Sequence, residues 1–178
     1  MRVIAGQWRG RKLPLADVEI RPTSDRIRET LFNWLDPHVR DARVLDLFAG
    51  SGALGFEALS RGAAEGFLVE KSVHTAKHLR KVAEEIGASG AKVLNKDARQ
   101  YLQSPAEPFD VVFLDPPFAD SDAANLCTLL ERQGWLMPDA LIYIEQSAEQ
   151  GFPELPGNWS WRRQKQAGQV VYGLAERT

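Results

Sequence analysis

The sequence predicts a doubly wound α/β fold, a mostly parallel sheet with helices on both faces, and three observations carry that expectation. From residue 43 onward, short apolar runs alternate with amphipathic helical stretches, the pattern of parallel strands joined by helical crossovers. Runs such as V-L-D-L-F (44–48) and V-V-F-L (111–114) are apolar along nearly their whole length, as strands covered on both faces require. Between the first such run and the first helix lies G-x-G-x-x-G, Gly50 to Gly55, a spacing suited to a tight strand-to-helix turn.

Taken in order, the strands are expected at 43–48, 66–70, 91–95, 110–114 and 141–145, and the helices near 53–61, 72–86, 97–102 and 122–134. In the second of these helices Val73, Ala76, Leu79, Ala83 and Ile86 share one apolar face. The tail from 159 to 176 reads as an antiparallel pair around Gly168, with Val170, Tyr172 and Leu174 alternating. Upstream, residues 2–15 alternate weakly around Gly6 and Gly10 and read as a short β-hairpin. Pro22-Thr23-Ser24 then opens a helix whose apolar residues Ile27, Leu31, Trp34 and Leu35 fall on one face, and Pro37 ends it. The expected organisation is one domain over 1–178: a basic appendage (1–20), a helix (21–37) and an α/β core (43–178).

Composition narrows the class. With 178 residues, 44% apolar and 26% charged, the chain has the make-up of an ordinary globular domain. No run of about 18 apolar residues occurs, so no membrane span is expected. The start, M-R-V-I-A-G-Q-W-R-G, has neither the apolar stretch nor the cleavage site of a signal peptide, and Cys127 is the single cysteine. A cytoplasmic location follows as the expectation. Net charge is only −2, yet residues 1–28 sum to +4 and leave −6 for the rest. Arg2, Arg9, Arg11 and Lys12 around Trp8 are therefore candidates for a phosphate-facing patch, the alternative being a role in solubility alone. His74 and His78 stand four apart on a helix but lack a third ligand, and no metal site is expected.

Three segments that end strands carry candidate chemistry, because ligands of open α/β sheets bind beyond the carboxyl ends of the strands. The Gly50–Gly55 turn offers close backbone approach and the unpaired N–H groups of a helix N-terminus. Glu70 follows the first glycine by 20 residues, the spacing at which a carboxylate accepts from ribose hydroxyls. Adenosine occurs in both dinucleotides and S-adenosylmethionine. Asp46 favours the second, since a carboxylate there would repel a pyrophosphate but suits an ammonium or sulfonium. Asp115-Pro116-Pro117-Phe118 then places a carboxylate and a carbonyl on a rigid turn. Two fixed acceptors suit a substrate –NH2 group, and Phe118 offers a face for an extruded base.

D-P-P-F with D-L-F-A-G-S-G resembles the motifs of amino-group methyltransferases. More narrowly, R-P-T-S-D-R-I-R-E-T-L-F-N-W-L (21–35) together with V-L-D-L-F-A-G-S-G-A-L-G-F-E-A-L-S-R-G-A (44–63) resembles the RsmD family of 16S rRNA guanine-N2 methyltransferases. The resemblance implies a class I S-adenosylmethionine-dependent methyltransferase fold that acts on a guanine of 16S rRNA in an assembled or assembling small subunit; a monomer is expected. It implies that Asp46, Gly50, Ser51 and Gly52 line the methionine end, Glu70 holds the ribose, and Asp97 and Ala98 face the adenine, with Phe48 and Lys71 in the same set. Thr23 and Arg26 would close over the cofactor, and Asp115, Pro116 and Phe118 would hold the target base. Adenine-N6 enzymes and glutamine-N5 enzymes carry related motifs, and an NAD(P)-binding protein is the alternative from another class.

Overall fold

The computed structural model describes residues 1–16, 23–119 and 122–178. Its strands are β1 (Arg43–Asp46), β2 (Glu65–Val69), β3 (Ala91–Leu94), β4 (Phe109–Leu114), β5 (Leu136–Ser147), β6 (Trp159–Ala167) and β7 (Val170–Arg177). Its helices are α1 (Asp25–Leu35), α2 (Ala53–Ser60), α3 (Val73–Ile86), α4 (Ala98–Leu102) and α5 (Ala123–Arg132). The seven strands form one sheet in the order β3-β2-β1-β4-β5-β7-β6. Neighbours from β3 to β5 are parallel, while β7 runs antiparallel to both β5 and β6. This is the doubly wound sheet with a terminal antiparallel pair that the alternation of elements predicts.

Strand pleat sorts the core into two layers. Leu45, Leu47, Val112, Leu114, Ile142 and Ile144 point to one side and pack with α4 and α5 around Trp135 and Leu126. Val44, Val111, Phe113, Leu141 and Tyr143 point to the other and meet Ile27, Leu31, Phe32 and Leu35 of α1. On that second face α2 and α3 continue the cover, with Phe56, Leu59, Leu79 and Val82 over Leu68. Ser24 caps α1, its Oγ accepting from the Ile27 amide at 3.2 Å. Trp34 of the same helix stacks on Tyr172 of β7, ring centroids 5.5 Å apart.

The element bounds differ from the sequence-based ones mainly at β5, which begins five residues earlier than expected and carries Asp139 at φ 63 near its start. The N-terminal segment departs in kind. It is no two-stranded hairpin but an irregular loop closed by one bridge, Arg2 with Lys12. Its backbone donors are divided: those of Val3, Gly10 and Leu13 bond across the loop to the Arg11, Val3 and Met1 carbonyls, and others turn to α2. The amides of Ile4 and Ala5 donate to the buried Glu57 carboxylate at 2.8 and 3.1 Å, and that of Gln7 to the Ser60 carbonyl at 2.8 Å. Gly6, at φ 86, comes so close to Ser60 that an added Cβ would lie 1.9 Å from its carbonyl oxygen. Val3 and Leu13 are buried beneath the loop, and Arg28 of α1 donates to the Arg2 carbonyl at 2.7 Å. The expected segments 1–20 and 21–37 run into residues 17–22, including Arg21 and Pro22, which lie outside the described residues.

Candidate active site

A cavity of about 650 Å³ opens at the carboxyl ends of β1, β2, β4 and β5, within the range of small-molecule sites. Its floor is the β1–α2 connection. Gly50 and Gly52 adopt left-handed φ of 52 and 80, and a Cβ on Gly52 would collide with the Phe56 ring at 2.5 Å. Thus Gly52 shapes the turn from behind, while Ala49, Gly50 and Ser51 form the cavity surface.

Asp46 closes β1 and is buried, its Oδ2 accepting from the Gly55 amide at 3.0 Å. Burial pushes its carboxyl up to about 7. The Gly55 and Phe48 amides oppose that rise, and the nearby Glu70 charge adds to it. Glu70 ends β2 with both oxygens anchored: Oε2 accepts from the Gly50 amide and Oε1 from the Ser72 amide, each at 3.0 Å. The glycine turn and the ribose-type acid are thus joined directly, across a separation of 20 residues. Asp97 lies on the neighbouring wall and caps α4, Oδ1 accepting from Arg99 and Gln100 amides at 2.9 and 3.2 Å.

The opposite wall is the turn after β4. Asp115, Pro116, Pro117 and Phe118 all line the cavity, and Thr23 donates to Asp115 Oδ2 at 3.1 Å. Phe118 is 37% exposed and forms part of the mouth. Glu145 of β5, to which no role is given on sequence grounds, also lines this wall, buried and accepting from the Tyr143 hydroxyl at 2.8 Å. The Tyr143 hydroxyl is pushed well above its usual range, chiefly by burial and then by the Glu145 and Asp115 charges. The sign available in sequence was L-I-Y-I-E, an acid ending an apolar run as Glu70 ends F-L-V-E.

Of the residues proposed from sequence for the cofactor, Thr23, Asp46, Phe48, Gly50, Ser51, Glu70, Lys71, Asp97 and Ala98 share this cavity. Two do not. Arg26 is exposed on the first turn of α1, beyond the lining, and Gly52 acts only through the turn's shape. Nor are the basic residues around Trp8 brought to the cavity. Trp8 is half-buried, its amide bonded to Ser60 Oγ at 3.0 Å, and Arg11 donates to the Glu85 carbonyl at 3.0 Å. Those bonds are at the C-terminal ends of α2 and α3, whereas the cavity lies at their N-terminal ends, a helix length of roughly 12–20 Å away. Among the described residues no group of three or more His, Cys, Asp or Glu is arranged to hold a metal. His78 instead meets the Pro14 carbonyl at 2.7 Å. Cys127 is buried in the α5 layer, its thiol pushed up to about 12 by desolvation, which suits packing and not nucleophilic chemistry.

The glycine turn, the buried Asp46 and the anchored Glu70 fit S-adenosylmethionine in kind: a tight turn at a helix N-terminus for its carboxylate, an acid for its ammonium, an acid for its ribose. Fold and cavity together define an α/β methyltransferase of the S-adenosylmethionine-dependent class. The chain belongs to the family described as Conserved hypothetical protein 95, the RsmD family, which it matches over residues 1–176. It is 50% identical to the ribosomal RNA small subunit methyltransferase D of Escherichia coli (strain K12), over 99% of this chain and 90% of the relative. The protein of the same name from Haemophilus influenzae is 45% identical over 98% and 92%. The solved structure of yhhF from Escherichia coli aligns with TM-score 0.93 and 48% identity, covering 99% of this chain and 97% of its own. The resemblance read from residues 21–35 and 44–63 is borne out, and the NAD(P)-binding alternative falls.

Asp46 has a measurable consequence for stability. Folded, its carboxyl holds a proton up to about pH 7, whereas the unfolded chain releases it near the ordinary value of 3.8. The folded state therefore binds more protons between these limits, and this group lowers stability as pH rises from about 4 to 7. We expect Asp46→Asn to remove that slope, so that the variant without ligand is more stable than the parent at pH 8 by an amount on the order of 1–4 kcal/mol. Denaturant titrations at pH 5 and pH 8 check this. Parallel pH profiles for the two proteins would refute the raised carboxyl.

Proposed function

We propose that the protein methylates the exocyclic N2 amine of a guanine in 16S rRNA, within an assembled or assembling small ribosomal subunit in the cytoplasm, and that it acts as a monomer. The D-P-P-F turn lining the cavity supports this reading, because its Asp115 carboxylate and Pro116 carbonyl are two acceptors suited to one substrate nitrogen beside a site shaped for S-adenosylmethionine. The names of the relatives supply the ribosomal RNA. No described helix is long and apolar enough to cross a membrane.

S-adenosylmethionine supplies the methyl group. Asp46 would receive its ammonium, the turn at Ala49–Ser51 its carboxylate, Glu70 its ribose, and Asp97 and Ala98 its adenine, with Phe48 and Lys71 flanking. Asp115 Oδ and the Pro116 carbonyl accept the two amine hydrogens and turn the nitrogen lone pair toward the methyl group. Thr23, bonded to Asp115 Oδ2, holds that carboxylate in its rotamer. Phe118 stacks on the base. An aryl amine of this kind is delocalised and non-basic, so no proton has to leave before attack. As the N–C bond forms the S–CH3 bond would break, its electron pair leaving with the sulfur of S-adenosylhomocysteine, and the amine proton, now acidic, passes to Asp115 or water. Positioning is then the main source of acceleration.

The decisive experiment incubates the protein with isotope-labelled S-adenosylmethionine and unmodified small subunits, digests the RNA and identifies the labelled nucleoside by mass. The expected product is N2-methylguanosine; a methylated adenosine would overturn the reading. Asp115→Ala should lower turnover by orders of magnitude with cofactor affinity nearly intact, whereas Asp115→Asn, which keeps an acceptor oxygen, should retain measurable activity. Equal loss in both folded variants would favour general-base chemistry instead.

For the N-terminal segment, whose Met1 touches Ser51 of the cavity lining while Trp8 and Arg11 lie at the far ends of α2 and α3, we propose RNA-backbone binding. Exposed Arg2, Arg9, Arg11 and Lys12, with Trp8, are set to meet phosphates of a substrate much larger than the enzyme. Replacing Arg9, Arg11 and Lys12 by Ala should weaken subunit binding and flatten its salt slope by about one unit for each phosphate no longer neutralised. Unchanged affinity at two salt concentrations would leave the segment a packing role.

A further inference from the structure

The geometry points to Glu145 as the residue that reads the N1–H of the target guanine, and this inference rests on the guanine-N2 reading above. β4 and β5 are parallel with Leu114 opposite Ile144, so the next residues in register are Asp115 and Glu145. The two acids therefore leave adjacent strands at the same height and on the same face, the one that carries Phe113 and Tyr143. Both line the one cavity.

Glu145 is 6% exposed and stands on the cavity wall beside the D-P-P-F turn. Tyr143, two residues earlier and on the same face, donates its hydroxyl to Oε2 at 2.8 Å and so fixes the orientation of the carboxylate. A guanine offers contiguous donors on one edge, the N2 amine and N1–H. With its amine held by Asp115 and the Pro116 carbonyl, one of the two flanks of that amine, N1–H or the N3 lone pair, faces the next strand, β5, and a carboxylate there fits only N1–H. A carboxylate accepts that hydrogen. Adenine, or any purine with a lone pair at N1, would set acceptor against acceptor, and sites built on such hydrogen bonds discriminate strongly. Asp115 thus holds the nitrogen that reacts, and Glu145 selects the base that carries it.

The test uses small subunits reconstituted with guanine or with 2-aminopurine at the target position. 2-Aminopurine keeps the exocyclic amine but has a lone pair at N1. The parent enzyme should prefer guanine by about 100-fold or more in kcat/KM. Glu145→Gln, whose amide can turn an N–H toward N1, should slow guanine methylation and shrink the preference at least tenfold, with S-adenosylhomocysteine affinity unchanged. Tyr143→Phe frees the Glu145 rotamer and should shrink it several-fold, which keeps the test available if Glu145→Gln does not fold. A preference that persists undiminished in whichever of these variants folds overturns the assignment while N2-methylguanosine formation upholds the reading beneath it. A parent enzyme that forms no N2-methylguanosine overturns both.

Discussion

Strand order reverses between β1 and β4, and the position of every functional group follows from that reversal. The chain winds outward from β1 to β2 and β3, then crosses back to β4 on the other side. Connections leaving β1 and β4 therefore part in opposite directions, which opens a crevice at the carboxyl ends of those two strands. Asp46 and the glycine turn flank it from β1, Asp115 and its prolines from β4. The adjacent strands supply Glu70 and Glu145 from either side. A sheet wound in one direction only would bring these same residues to a closed edge.

The crevice concentrates acidic side chains, and the protein tolerates this by anchoring each one differently. Asp46 is buried against the Gly55 amide and shifts toward neutrality. Glu70 is held at the surface of the turn by two backbone amides. Glu145 leans on a tyrosine hydroxyl. The arrangement gives up stability for a surface complementary to a ligand that carries both an ammonium and hydrogen-rich edges, a compromise common to binding sites. Apolar side chains of α1, α2 and α3 cover the same face of the sheet.

Much of this was legible in the sequence because it is local. The alternation of elements predicts the sheet, and the glycine turn, Glu70 and D-P-P-F each sit within a few residues of a strand end. What escaped depends on pairing between distant segments. Glu145 looks like any strand terminus until β5 is registered beside β4, which sets it level with Asp115 on the cavity wall. Residues 2–15 alternate as a hairpin would and keep a few bonds across the loop, yet the acceptors for Ile4, Ala5 and Gln7 belong to α2, more than 50 residues away, so the pairing stops at one bridge. For the same reason the charge of residues 1–28 did not reveal that the tip lies at the far ends of α2 and α3. Arg26 carries the helical pattern of α1 but falls on its exposed side.

A crystal structure of the protein with S-adenosylhomocysteine tests the arrangement most directly. The expected complex has the ribose hydroxyls on the Glu70 carboxylate, the ammonium beside Asp46, the adenine against Asp97 and Ala98, and the sulfur facing the Asp115-Pro116 turn. A ligand bound the other way round, with its adenine at Asp115 and its amino acid end at Asp97, would contradict it.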